Sequence, residues 1–276
     1  LAGSEHPHKV NFCKFTNETR NSMEDASEHS GQRFVTVVNG TAAGGGYELA
    51  LATDHIMMID DGSTAVSLPE VPLLAVLPGT GGLTRVVDKR MVRRDHADVF
   101  CTIEEGIKGR RAVQWRLVDE VVPPSKLEER VKAKAAELAA KSSRKAGKDG
   151  VKLTALDRKF RADGVDYNHV KLDIDASQRL ATITVRAPEA APPANVDAME
   201  KLGAKFWPLE TARELDDAIL HLRNNAYEVG TIVFKTEGDP ARVRAFDEFL
   251  EAQRDNWFAH EIRHYWKRVL KRIDVT

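Results

Sequence analysis

The chain reads as an α/β protein with parallel strands, followed by a second segment of different pattern. Three observations carry that reading. The runs RFVTVVNG and IMMID are apolar without alternation, as strands covered on both faces are. Helix-favouring stretches alternate with them, which favours parallel pairing through crossovers. Beyond residue 150 two alternating runs flank DASQ, the pattern of a β-hairpin.

Taken in order, residues 1 to about 33 are polar and read as irregular. RFVTVVNG is a buried strand ending at Asn-Gly, and YELALATDH after the glycines is helical by propensity. IMMID and TAVSL are further strands, the second closed by Pro69. LPGTGGLTRVV is a glycine-rich turn into a helix, and EEGIKGRRAVQWRLVDEVV a helix followed by a short strand. KLEERVKAKAAELAAKSSRK is an amphipathic helix with Leu127, Val131, Ala135 and Leu138 on one side. The basic, glycine-bearing KSSRKAGKDG marks the domain boundary, so a first domain over 1–140, a linker over 141–165 and a second domain over 166–276 are expected. That second part carries the hairpin, the helix ARELDDAILHLRNN, the strand GTIVFKTEG and a long helical region from Pro240.

With 41 basic and 42 acidic residues, nothing global favours nucleic acid or an anionic membrane. No apolar run approaches the roughly 20 residues needed to span a bilayer. LAGSEHPHKV lacks a signal-peptide pattern, and the two cysteines, Cys13 and Cys101, argue against a disulfide framework. A cytoplasmic location is expected, with no nucleic-acid and no membrane partner.

The residues that invite chemistry lie in NGTAAGGGYELALATDH. Gly44, Gly45 and Gly46 bare the backbone ahead of a helix, a device that binds phosphate or stabilises an oxyanion. Gly-Lys-Ser/Thr at P-loop spacing is absent, and the dinucleotide fingerprint fails at Leu49 and at Thr84. The oxyanion reading survives beside the structural one, a helix packed closely on a strand. Glu48 falls in the first turn of that helix, where a carboxylate also complements the helix dipole. Glu70 follows Pro69 at the end of a strand. Two carboxylates in one pocket can divide acid and base duties, but spacing alone leaves their meeting open.

VNGTAAGGGYELALATD followed by SLPEVPLLAVLPGTGGLTR resembles the core of the crotonase (enoyl-CoA hydratase/isomerase) superfamily, and RLVDEVVPPSKLEERVKAKAAELA resembles its last strand and helix. The resemblance implies a crotonase-like spiral of ββα units, N-terminally incomplete, followed by the start of a second, degenerate crotonase-like unit. It implies an acyl-CoA thioester substrate, no separate cofactor, no metal and a homodimer. Gly45 would donate one backbone N–H to the thioester oxygen, with Gly44 and Gly46 completing the turn, while Glu48 and Glu70 activate water. The second donor of the family is expected upstream of residue 1. HKVNFCKFTNETRN and KRMVRRDHADVFCTIEEG are not general features of the family. They resemble a branch that cleaves 2,3-epoxybenzoyl-CoA with water in aerobic benzoate degradation, releasing formate and 3,4-dehydroadipyl-CoA semialdehyde. That branch would place Cys13 at the active site; as a residue type, Cys13 reads equally well as a small buried group. An enoyl-CoA hydratase/isomerase, or a catalytically inert fragment or assembly module, are the alternatives.

Arg85, Lys89, Arg90, Arg93 and Arg94 read as a solvated basic face rather than a CoA phosphate site. His260 and His264 satisfy H-E-x-x-H, but with no evident third ligand the string reads as helix surface rather than zinc site.

Overall fold

The computed structural model describes residues 3–144 and 150–276. The chain groups into two compact units, Phe12–Ala146 and Leu1–Asn11 with Gly147–Thr276. Part of the expected boundary, residues 145–149, lies outside the described residues.

The chain opens with helix α1 (His6–His29), which corrects the irregular segment expected there. Pro7 at its start supplies a fixed φ where no intrahelical N–H bond is needed.

In the Phe12–Ala146 unit, β1 (Val35–Val38), β3 (His55–Ile59) and β6 (Glu120–Val122) form a parallel sheet in the order β1-β3-β6. A smaller sheet runs β2 (Thr41–Ala43), β4 (Ala65–Ser67), β5 (Ile107–Lys108), with β2 and β4 parallel and β5 antiparallel to β4. Helix α2 (Gly45–Leu51) follows β2, and α3 (Glu70–Leu74) follows β4. Then come α4 (Gly82–Thr84), a π-helical turn Arg85–Lys89, α5 (Arg94–Phe100), α6 (Gly109–Gln114) and α7 (Leu127–Ala140). The apolar strands read from sequence are here, and EEGIKGRRAVQW begins as a strand before it turns helical. Tyr47, Leu51, Ile56, Met58, Leu68 and Phe100 are wholly buried in one core. The Tyr47 hydroxyl is satisfied there by donating 2.7 Å to the Leu117 carbonyl.

The other unit holds a five-stranded sheet in the order β11-β10-β9-β8-β7. The expected hairpin is β9 (Val170–Asp175) with β10 (Leu180–Arg186), antiparallel from Val170↔Val185 to Asp175↔Leu180. β7 (Lys159–Arg161) and β8 (Gly164–Asp166) also belong to it, so the stretch read as linker already carries strand. β11 (Thr231–Glu237) pairs parallel to β10 after a crossover through α8 (Val196–Leu202) and α9 (Trp207–Asn225). α9 buries Leu215, Ala218, Ile219 and Leu222 against Leu172 and Ile183 of the sheet. The long helical region is two helices, α10 (Pro240–Ala252) and α11 (Trp257–Val275), the second capped by the Asn256 side chain. His260 and His264 lie one turn apart on α11, and no group of three metal-ligating side chains converges among the described residues. No described helix is long and apolar enough to cross a membrane.

Candidate active site

The two glutamates, 22 positions apart in sequence, are delivered by neighbouring parallel strands. β2 and β4 pair at Ala43↔Ser67, and the ladder continues one step further, where the Gly44 N–H donates 3.0 Å to the Ser67 carbonyl. Past that point β2 turns through the glycines into α2, which carries Glu48, and β4 turns through Pro69 into α3, which carries Glu70. Both carboxylates therefore stand at the carboxyl ends of parallel strands, where α/β folds place their ligand sites.

The glycines fit this geometry for separate reasons. Gly44 has φ 54° and ψ −124°, a conformation open to glycine and strained for other residues. A Cβ at Gly44 would stand 2.6 Å from Glu70 Oε1. Gly45 and Gly46 open α2, and no acceptor within the described residues takes their N–H groups.

Glu48 is buried, 2% exposed. Its Oε1 accepts the backbone N–H of Thr80 at 3.1 Å and of Gly82 at 2.9 Å. Its Oε2 accepts the Thr80 hydroxyl in a short hydrogen bond. Gly82 permits this approach: a Cβ there would meet Glu48 Cγ and Oε1, both at 2.9 Å. Glu70 is half-buried, and its Oε2 is a buried oxygen without a hydrogen-bond partner. Burial pushes the Glu70 carboxyl up, against its own backbone hydrogen bond, and the nearby Glu48 charge pushes it further. The two carboxylates thus differ in environment: Glu48 accepts three hydrogen bonds, while Glu70 Oε2 accepts none and its carboxyl is pushed up.

Helix α1 carries Cys13, singled out above, and four further residues that sequence reasoning missed. Cys13, Asn17, Arg20, Asn21 and Glu24 follow helical spacing along one stripe. Asn17 Nδ2 donates to the Gly79 carbonyl at 3.2 Å, and Cys13 Sγ lies 4.0 Å from where a Cβ on Gly79 would stand. Cys13 itself is exposed, so it borders the loop that holds Glu48 and is not the small buried group considered above. Arg20 is 2% exposed; its Nη2 donates to the Gly45 carbonyl at 3.1 Å and stands 3.8 Å from Glu48 Oε2. Arg85, expected on a solvated face, is buried instead. Its Nη1 donates to the Thr80 carbonyl at 3.0 Å and its Nη2 to Glu24 Oε2 at 2.7 Å. Burial alone would push the Glu24 carboxyl up, but hydrogen bonds from Arg85 and Lys89 hold it below the usual range. Arg90 and Arg93 pair with Asp119 and Asp95. Cys101 is half-buried against the main core.

The family model for enoyl-CoA hydratase/isomerase matches residues 14–170. Benzoyl-CoA-dihydrodiol lyase of Aromatoleum evansii is 56% identical over 276 residues, covering 100% of this chain and 50% of that protein. The alpha subunit of the fatty acid oxidation complex of Idiomarina loihiensis is 36% identical over 104 residues, 38% of this chain and 14% of that protein. The solved enoyl-CoA hydratase of Bacillus anthracis is 30% identical, with a TM-score of 0.44 over 50% of each chain. The chain thus spans half the length, or less, of the curated relatives it matches.

Proposed function

From the premise that this chain belongs to the enoyl-CoA hydratase/isomerase family, we propose that it carries the acid–base carboxylates and one oxyanion donor of an acyl-CoA ring-cleaving lyase. The substrate of the whole protein would be 2,3-epoxybenzoyl-CoA. One molecule of it and two of water balance as formate and 3,4-dehydroadipyl-CoA semialdehyde. The support is the 56% identity to a lyase of benzoyl-CoA metabolism along the full chain.

One observation supports the roles: Glu48 and Glu70 reach a single glycine turn from adjacent strand ends, in opposed environments. Glu48, an oriented acceptor, takes a proton from attacking water. Glu70, whose hold on a proton burial strengthens, delivers one to the opening ring. The Gly45 N–H faces the thioester oxygen, where enolate charge gathers; a donor of this kind is worth roughly 2.7–4 kcal/mol in kcat. Gly44 and Gly46 keep the turn open around it. Cys13 borders the substrate from α1.

We read the second unit as the start of a degenerate crotonase-like unit, and the active form as a homodimer in the cytoplasm. The exposed apolar run Val71, Leu73, Leu74, Val76 and Leu77 is a surface that a second copy would cover.

Formate release tests the reading. A form extended to the length of its lyase relative, incubated with 2,3-epoxybenzoyl-CoA, should give one formate per thioester consumed. Hydration of crotonyl-CoA without formate from the epoxide would overturn it in favour of a plain hydratase.

A further inference from the structure

Arg20 is the one buried cation whose contacts leave most of its donors unspent in the immediate surroundings of the glycine turn. Nε and Nη1 carry three of the five N–H bonds of a guanidinium, and both are buried without a hydrogen-bond partner. Only Nη2 is engaged, on the Gly45 carbonyl. The nearest carboxylate gives little relief, because Glu48 is turned to Thr80 and Gly82 and its Oε2 stands 3.8 Å away, beyond hydrogen-bond reach. Arg85, a second buried cation, is by contrast engaged through all three nitrogens, on Thr80, Asn21 and Glu24. A buried charged donor left without an acceptor carries a desolvation penalty. A fold retains such a group where something else supplies the acceptor.

Glu70 presents the complementary orphan. Its Oε2 is buried and unpartnered, and its Oε1 packs against Gly44, the neighbour of the Gly45 that Arg20 holds. The glycine turn is therefore flanked by unspent N–H donors on one side and an unspent carboxyl on the other. A plain unsaturated acyl chain has no oxygen to offer them beyond its thioester. A ring that bears an oxygen near the thioester carbonyl has an acceptor for the guanidinium, and its opened form has a hydroxyl for the carboxyl.

We propose that Arg20 is a substrate-binding, specificity-determining residue that takes an oxygen carried on the acyl ring, and so selects oxygenated acyl-CoA thioesters over unoxygenated ones. The inference rests on the acyl-CoA reading above and adds to it the group that distinguishes this substrate class. When the ring oxygen loses a bond to carbon and gathers negative charge, the guanidinium faces it as a fixed cation.

The test compares binding of 2-hydroxybenzoyl-CoA and benzoyl-CoA, which differ by one ring oxygen, in the form extended to the length of its lyase relative, as wild type and with Arg20→Gln and Arg20→Lys. The wild type should prefer the hydroxylated thioester by roughly tenfold or more, the range of a hydrogen bond to a charged donor. Arg20→Gln should bring the ratio of the two affinities close to one, whatever loss both thioesters share through the Gly45 turn, and Arg20→Lys should keep part of the preference. An unchanged preference in Arg20→Gln, or an equal loss for both thioesters, would assign Arg20 to holding the turn and overturn the proposal. Should Arg20→Gln fail to fold, the wild-type preference and the Lys variant decide: no preference in the wild type sinks the inference. Failure of the wild type to bind either thioester would remove the acyl-CoA reading as well, whereas equal binding of both removes only the role of Arg20.

Discussion

The carboxyl of Glu70 occupies the space that a side chain on residue 44 would need, with Oε1 2.6 Å from the missing Cβ. Gly44→Ala forces two changes at once. It places a β-carbon in a left-handed conformation, at a cost of about 1–3 kcal/mol, and it pushes Glu70 off the turn. The fall in kcat for formate release should be about 100-fold, the effect of misplacing a reacting group by about 1 Å. Thermal melting should fall with it; a variant with wild-type turnover would show that Glu70 need not stand where it does.

Glu48→Gln and Glu70→Gln should differ in kind. Gln at 48 keeps the shape but turns an amide into a nest of donors from Thr80 and Gly82, so it loses both the base and its alignment. Gln at 70 preserves a neutral group in a position where burial already favours the proton, so ligand binding should survive while turnover drops by about 100-fold or more. With Glu70 as the proton donor proposed above, kcat should decline as pH rises through its titration, and Glu70→Gln should lack that alkaline limb. A pH–rate profile of both variants checks the assignment.

Gly82→Ala leaves the backbone unstrained but drives a methyl group to 2.9 Å from Glu48. The expected result is a kcat reduced by about tenfold or more with KM changed by less than about threefold, since the carboxylate moves and the binding surface stays. Steady-state kinetics on purified variant separates the two parameters.

In the other unit, Glu214 is fully buried, and its carboxyl, pushed up foremost by burial and then by the Glu210 charge, titrates at about 7 against an ordinary 4.5. The backbone N–H groups of His169 and Asn168 oppose that rise, donating at 2.7 and 3.2 Å. Between those two pKa values the folded state binds more protons than the unfolded one. Stability from this group is therefore full below about pH 4.5, falls as pH rises, and is lost above about pH 7. Glu214→Gln should flatten the melting temperature across that window; an unchanged slope would place the titration elsewhere.

The strands and the glycine turn were legible because their residues are their own signal. Val35–Val38 and His55–Ile59 are apolar runs, and Gly44 to Gly46, Glu48 and Glu70 announce chemistry by type. Helix α1 was not legible, because the stripe it turns to the Glu48 loop is polar: Asn17, Arg20, Asn21 and Glu24. A periodicity search weighs apolar residues and finds none to weigh there. The recoverable signal was the spacing of those polar residues at three and four. Arg85 was misread for a related reason: a basic run looks solvated until its carboxylate partner, 61 positions away in Glu24, is known. The β7–β8 hairpin escaped because each strand has three residues, too few to establish alternation.

One stripe of α1 makes the polar contacts to the Gly45 turn and the Gly79–Arg85 loop, while the two glutamates sit on elements of the β2–β4 layer. On the roles proposed above, selectivity and catalysis are written on different pieces of chain. An engineer wishing to retarget the site has a short cassette to edit, positions 13 to 24, separate from the strands that deliver the two glutamates. The same partition sets a limit, because Glu24 also steadies Arg85 and through it Thr80. Redesign of the helix therefore has to keep the contacts that Arg20 makes to the Gly45 turn and that Asn21 and Glu24 make to Arg85.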